Sequence, residues 1–421
     1  MARIYVRVIV KEPTFHEVRV GTFARVAFSV HRGTLRKDKA GTGRRSDTAC
    51  LDRPSARAVM ALDHTRDFFA ADNFNPRDVT DPALFLTHWI THFCAPTFIL
   101  LAGMSAFLYG VGRQTGEVSR YLFTRGCWLV LIEVTVVRVA WSFNFHFDHL
   151  VLQVIFAIGA SMIILAALIH MPRWAIATVG VVMIAGHNML DGVKAEQLGA
   201  AAPIWNLLHQ PGLLDLGTNL KLFVLYPLIP WIGVMATGYS LGPLFILERA
   251  IRVQRLVILG GAITAGFVIL RATNLYGDPT PWAVQSHPFP TLLSFINCEK
   301  YPPSLLFLAM TLGPALLLLA AFERARGFVV EWITTFGRVP FFYYVVHIFL
   351  IHALAIVFAW ATIGEAPWLL GAFPPQKPVA YGLGLAGIYT VWVLVLITLY
   401  PVCRWFADVK RRRTEWWLSY L

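Results

Sequence analysis

Charge is scarce in this sequence. Asp, Glu, Lys and Arg make up only 14% of its 421 residues, where a soluble domain carries about 25%, which counts against a water-soluble enzyme. Cysteine is scarce as well. Cys50, Cys94, Cys127, Cys298 and Cys403 are scattered without ligand-like spacing, so neither a disulfide framework nor a zinc site follows from them. The P-loop and the HExxH signature are missing, which removes the two readings those motifs carry. Nothing near the N-terminus has the apolar core and small-residue cleavage site of a signal peptide. Acidic residues number 24 against 36 basic ones, and the net charge of +12 points at first to nucleic acid. Its distribution argues against that partner. The Lys and Arg residues sit in short segments between apolar runs, as membrane-flanking charge does.

What the sequence has in abundance is apolar surface. The hydrophobic set makes up 57% of the residues and the mean hydropathy is +0.60. Apolar runs of roughly 20 residues recur along the chain, giving an all-α, polytopic transmembrane helix bundle. Ten spans are expected, at about 54–71, 84–110, 122–143, 150–169, 174–190, 222–242, 255–271, 303–322, 338–359 and 379–402. Fifteen Lys and Arg residues fall in one set of turns and seven in the other, so the positive-inside rule puts both termini in the cytoplasm. Residues 1–53 read as a basic cytoplasmic extension, disordered or foreign to the mature protein, 54–413 as the transmembrane domain and 414–421 as a cytoplasmic tail. The expected location is the bacterial cytoplasmic (inner) membrane, with lipids as neighbours and a homodimer left open.

The polar residues that interrupt the apolar runs are the candidates for chemistry, because ionisable groups in a membrane are costly unless paired, hydrated or functional. Asp63, His64, Arg66 and Asp67 close the first segment, and His88 and His92 lie one helical turn apart in the second. A histidine here could take a proton from an attacking amine or hydroxyl. Asp63 could orient His64 only if the fold brings the two together, because adjacent helix residues point apart. Glu133 and Arg138 are expected to face the bundle interior together. The run GHNMLD supplies His187, Asn188 and Asp191, of which the last two would also suit the closing of a helix, and His209 follows. Lys300 and Tyr301, just before Pro302 and Pro303, would suit an anionic group. A metal held by His88, His92 and a distant carboxylate is the lesser alternative, and no metal centre is expected.

Seven blocks occur in order: MALDHTRDFF, THFCAPTFILLAG, FTRGCWLVLIE, AGHNMLD, YPLIPWIGVMATGYSLG, KYPPSLLFLAMTLGP and GRVPFFYYVVHIFLIH. Over residues 50–413 the chain resembles a bacterial multispanning membrane family of uncharacterised function. That family is grouped with the catalytic domain of heparan-α-glucosaminide N-acetyltransferase, a lysosomal transmembrane acyltransferase. The resemblance implies a relay in which acetyl-CoA or another acyl-CoA arrives from the cytoplasm and an amino-sugar or envelope glycan is acylated on the far side. No tightly bound cofactor is implied. It points to His64, with Asp63, His88 and His92, as catalytic, and to Arg66, Asp67, His187, Asn188, Asp191, Lys300 and Tyr301 as substrate contacts. Arg53, Arg125 and Arg338 are the expected contacts to the CoA phosphates.

Two departures stand out. The family's catalytic histidine follows its first helix, but no histidine lies between Arg66 and Thr87. Its usual opening of Asp, two apolar residues and Arg-Gly is met here, across Cys50–Pro54, by Arg53 alone. A shifted reading frame upstream would account for that opening and for the unusual first 50 residues. A transporter or flippase for a sugar, lipid or anionic metabolite is the alternative reading, since buried charge and proline-containing spans serve that role too.

Overall fold

The computed structural model describes residues 48–413 except 72–74, 76, 216–219, 324 and 372–374, together with 415 and 418. The expected extension through residue 47 and most of the tail from 414 fall outside these. The chain is an all-α polytopic membrane protein. Among the described residues six helices are long and apolar enough to cross a membrane: Pro82–Gly110, Leu228–Ile246, Arg249–Thr273, Leu305–Phe322, Pro340–Thr362 and Leu385–Arg412. A bent pair, Arg173–Leu190 with Ala195–Leu208, makes a seventh if it counts as one span. The other expected spans are helical but do not qualify on length and composition alone. One is rich in charge, one is broken in the middle and one is short.

In chain order the helices are α1 (Thr48–Phe69), α2 (Pro82–Thr91), α3 (Cys94–Gly110), α4 (Thr115–Ile132), α5 (Arg138–Ser142), α6 (Val154–Leu168), α7 (Arg173–Gly186) and α8 (Ala202–Leu208). They continue with α9 (Leu228–Leu241), α10 (Arg249–Thr273), α11 (Pro288–Ile296), α12 (Leu305–Phe322), α13 (Phe328–Arg338), α14 (Pro340–Thr362) and α15 (Leu385–Arg412). Local signals explain several boundaries. Asp81 caps α2 by accepting from the Leu84 amide, with Pro82 in the first turn. Ser304 does the same for α12 through the Phe307 amide. Between α4 and α5 the helix widens into a π turn, Glu133–Val137, a feature that clusters at functional sites.

Three short strands were not expected. β1 (His149–Leu152) pairs parallel with β3 (Lys221–Val224), and β2 (Gly212–Asp215) pairs antiparallel with β3 on its other side. They take up the first residues of two expected spans, so α6 and α9 begin later than the hydropathy pattern suggests.

α1 is the hub. This charge-bearing helix packs against α2, α3, α12, α13, α14 and α15. The surrounding helix pairs close through glycines. A Cβ on Gly126 would lie 2.6 Å from the Gly159 carbonyl of α6, and one on Gly180 would lie 2.9 Å from the Gly233 carbonyl of α9. Small residues at such crossings let backbones approach where lipid offers no hydrophobic drive.

Candidate active site

The last turns of α1 carry Asp63, His64, Arg66 and Asp67 into the middle of the bundle. Arg66 pairs with Asp63 and Asp67, each at 2.8 Å, and donates to His88 Nδ1 on α2. Lys300 Nζ lies 3.8 Å from the other Asp63 oxygen. Asp63 therefore faces two cations rather than His64, as neighbours on a helix must.

His64 is oriented from elsewhere. Its Nδ1 is 2.7 Å from His347 Nε2 on α14, and His347 Nδ1 is 2.8 Å from the Tyr343 carbonyl. A carbonyl only accepts, so His347 carries its proton on Nδ1 and presents a bare Nε2. His64 must then donate from Nδ1, which leaves its own Nε2 as a free base. The rings of His64 and His347 stack at 4.9 Å, and Trp141 meets His64 edge-on at 4.8 Å. The same reasoning fixes the second pair. Arg66 can only donate to His88 Nδ1, so His88 gives its Nε2 proton to His92 Nε2 at 3.2 Å.

A cavity of about 90 Å³ lies beside these groups, lined by Asp63, His64 and Asp67 together with Trp141, Gln153, Tyr226, Lys300 and Tyr301. Burial pushes the Tyr301 phenol above its ordinary range, so it stays neutral and able to donate. The loop bearing Lys300 and Tyr301 is held firmly. Asp278 accepts from the Glu299 amide and the Ser304 hydroxyl, and Glu299 pairs with Arg77 at 2.8 Å. A smaller cavity of about 30 Å³ adjoins, sharing Trp141 and Gln153. Glu133 and Arg138 both line it but do not pair. Glu133 accepts from the Gln153 amide, while Arg138 is used up on Ser142, Asn144 and the 146–149 backbone.

Asp63, His64, Asp67, Lys300 and Tyr301 thus meet at one cavity, with Arg66, His88 and His92 in contact behind it. His187, Asn188 and Asp191 form a separate group with His209 at the elbow of the bent pair. Arg338 lines a wider cleft of about 650 Å³ with Arg326, Arg404 and Arg411, which Glu331 and Asp408 share. Arg125 is buried on α4 and does not line that cleft. Arg53 lies early in α1, its side chain outside those described. His347, Trp141, Gln153 and Tyr226 went unassigned in the sequence. The signal for His347 was there, since an ionisable residue inside an apolar span is a functional candidate by default.

A family model described as "Heparan-alpha-glucosaminide N-acetyltransferase, catalytic" matches residues 51–270, just over half the chain. The chain belongs to that family. No curated protein matches it. The part of the site within the family match comes from α1, α2, Trp141, Gln153 and Tyr226, whereas Lys300, Tyr301 and His347 lie beyond it. The run Gly382–Gly387 has GxGxxG spacing, yet Gly384 caps the membrane helix α15 with no βαβ unit around it, so it is no dinucleotide fingerprint.

Proposed function

We propose that this protein is a membrane-embedded acyltransferase that moves an acyl group from acyl-CoA to an amine or hydroxyl at the His64 cavity. The observation that carries the reading is the oriented His64–His347 pair, which leaves a bare His64 Nε2 beside a cation and a neutral phenol. The acceptor attacks the thioester carbonyl while its proton passes to His64 Nε2. Lys300 and Tyr301, which line the same cavity, supply the donors for the charge that develops on the carbonyl oxygen. Collapse breaks the C–S bond, and the proton held on His64 goes to the leaving thiolate, so the products are free CoA thiol and the acylated acceptor.

The cavity is well below the roughly 300–1,000 Å³ that encloses a drug-sized ligand. It suits an acyl group and an attacking atom, with the bulk of both substrates outside. The arginine cleft suits the CoA phosphates. Arg338 ends α13 and His347 lies on α14 seven residues past Pro340, roughly 10 Å of helix, and a row of rings (Phe336, Tyr343, His347, His64) links the two regions at 4.9–5.1 Å spacings. With the donor on the cytoplasmic side, the acceptor side is the one where family membership suggests an amino-sugar or envelope glycan.

The test is label transfer from radiolabelled acetyl-CoA in proteoliposomes, with a panel of amino sugars and envelope glycans on the opposite face. Transfer lost in His64→Ala and kept in part in His88→Ala and His92→Ala supports the assignment. Transfer surviving His64→Ala removes it. One observation favours the transporter: the bent pair turns by 114°, and interrupted helices line transporter sites. Solute uptake without thiol release would select that reading.

A further inference from the structure

We propose that His187, Asp191 and His209 form a binding site for one divalent transition metal of the zinc class, separate from the His64 cavity. The local fold brings the three together. α7 ends at Gly186 and tightens into a 3₁₀ turn, His187–Leu190, which sets His187 and Asp191 one turn apart. After the 114° bend, His209 at the end of α8 returns to face them. One ligand atom from each lies within 4.8 Å of the others.

The distances suit the ion. Zinc binds imidazole nitrogen at about 2.0–2.1 Å and carboxylate oxygen at about 2.0–2.2 Å in a tetrahedron, which places neighbouring ligand atoms roughly 3.3 Å apart. His209 Nε2 and Asp191 Oδ1 are 3.1 Å apart. His187 completes the set by closing at most about 1.5 Å, the difference between 4.8 Å and the tetrahedral spacing. Three protein ligands leave the fourth position to water.

A plain His209–Asp191 ion pair leaves too much unsatisfied. Both imidazoles are buried, at 2% and 3% exposure. Neither ring nitrogen of His187 makes a hydrogen bond of normal geometry, although the Pro303 carbonyl faces the ring. His209 Nδ1 is also without a partner. Buried orphans of this kind are costly, and a metal would give His187 its partner. The outer contacts are those of a held ligand. Asn188 donates to Asp191 Oδ2 at 2.9 Å, leaving Oδ1 toward His209, and accepts from the Leu305 amide at 2.8 Å. Such contacts orient a ligating carboxylate. A metal here would fix the elbow of the bent pair, which Asn188 already ties to the first turn of α12, directly after the loop that carries Lys300 and Tyr301.

The test uses the full chain in detergent with its affinity tag removed, stripped with a chelator, reloaded with zinc or cobalt(II) and freed of excess. Elemental analysis should find one equivalent in the wild type. His187→Ala and His209→Gln should lose it, the double variant His88→Ala/His92→Ala should keep it, and Asn188→Ala should bind about 10–100-fold more weakly. The cobalt form of the wild type should show the intense visible bands of a four-coordinate site, a reading that needs no variant to fold. A folded wild type that retains no metal overturns the proposal. So does metal that survives both cluster variants and leaves with His88 and His92.

Discussion

Replacing His347 by Phe isolates one hydrogen bond. The substitution keeps a ring of similar volume between Tyr343 and His64 but removes the only acceptor that the His64 Nδ1 proton has been assigned. His347 is fully buried and the bond is 2.7 Å long. A buried donor left unpaired costs about 1–3 kcal/mol. If that cost is felt in the position and tautomer of His64, the rate falls roughly 10- to 100-fold, at about 1.4 kcal/mol per decade. The loss should appear in kcat with little change in KM for acyl-CoA, because the donor cleft is untouched. His347→Gln, whose amide oxygen can accept, should recover a good part of the rate. The assay is thiol release with detergent-solubilised protein, alongside thermal unfolding to establish that each variant folds. Full activity in folded His347→Phe, with His64→Ala inactive, would refute the idea that this bond orients the base.

In the arginine cleft, Arg338→Gln and Arg404→Gln should each raise KM for acyl-CoA several-fold and leave it unchanged for a pantetheine thioester lacking the nucleotide. Arg252 and Glu323 form a bidentate pair at 2.7 and 3.0 Å between α10 and the end of α12, with side chains almost wholly buried. Glu323→Ala should cost about 3–5 kcal/mol in an unfolding assay, while Arg252→Met/Glu323→Leu should recover most of it. Gly180→Leu should prevent α7 from seating on α9 and abolish recovery of monodisperse protein, where Gly186→Ala, with nothing within 4 Å of the added Cβ, should be neutral. Burial pushes the Cys298 thiol up to about 12, so the reactive thiolate is nearly absent below that pH. At pH ~8 a soluble alkylating reagent should leave Cys298 unmodified in the folded protein and label it after denaturation; labelling of native protein would contradict the burial.

The sequence was most readable where polarity interrupts an apolar run. The α1 cluster stood out for that reason, Lys300 and Tyr301 for their place before two prolines at the mouth of a helix, and Asp63, His64, Asp67, Lys300 and Tyr301 line one cavity. Contacts across long separations could not be read. His347 was visible on its span, but its partner His64 is 283 residues away. His209 lay in a non-spanning segment, 192–221, that suited a reclining or re-entrant element, but its return to His187 depends on the 114° bend, which periodicity cannot show. The strands escaped for a related reason: HLVL and KLFV each hold only three apolar residues in a row, too few to be told from the start of a helix. Glu133 and Arg138 were expected to face the bundle interior together, and both are buried and line the smaller cavity; the π turn at Glu133–Val137, and the separate set of bonds that each makes, could not be read from spacing.

The central position of α1 has a consequence for how the protein is made. α1 is the first described helix to leave the ribosome, and its Asp63, Arg66 and Asp67 together carry one net negative charge even with Arg66 paired, which is costly in lipid until Lys300 is in place. Many of the surfaces that bury it (α12, α13, α14 and α15) are synthesised last. At about 5–20 residues per second, the interval between His64 and His347 takes roughly 15–60 s. During that time α1 must wait at the membrane surface or in the insertion machinery. The chain's own centre is the last part to be installed, and the final third acts as the acceptor for the first helix.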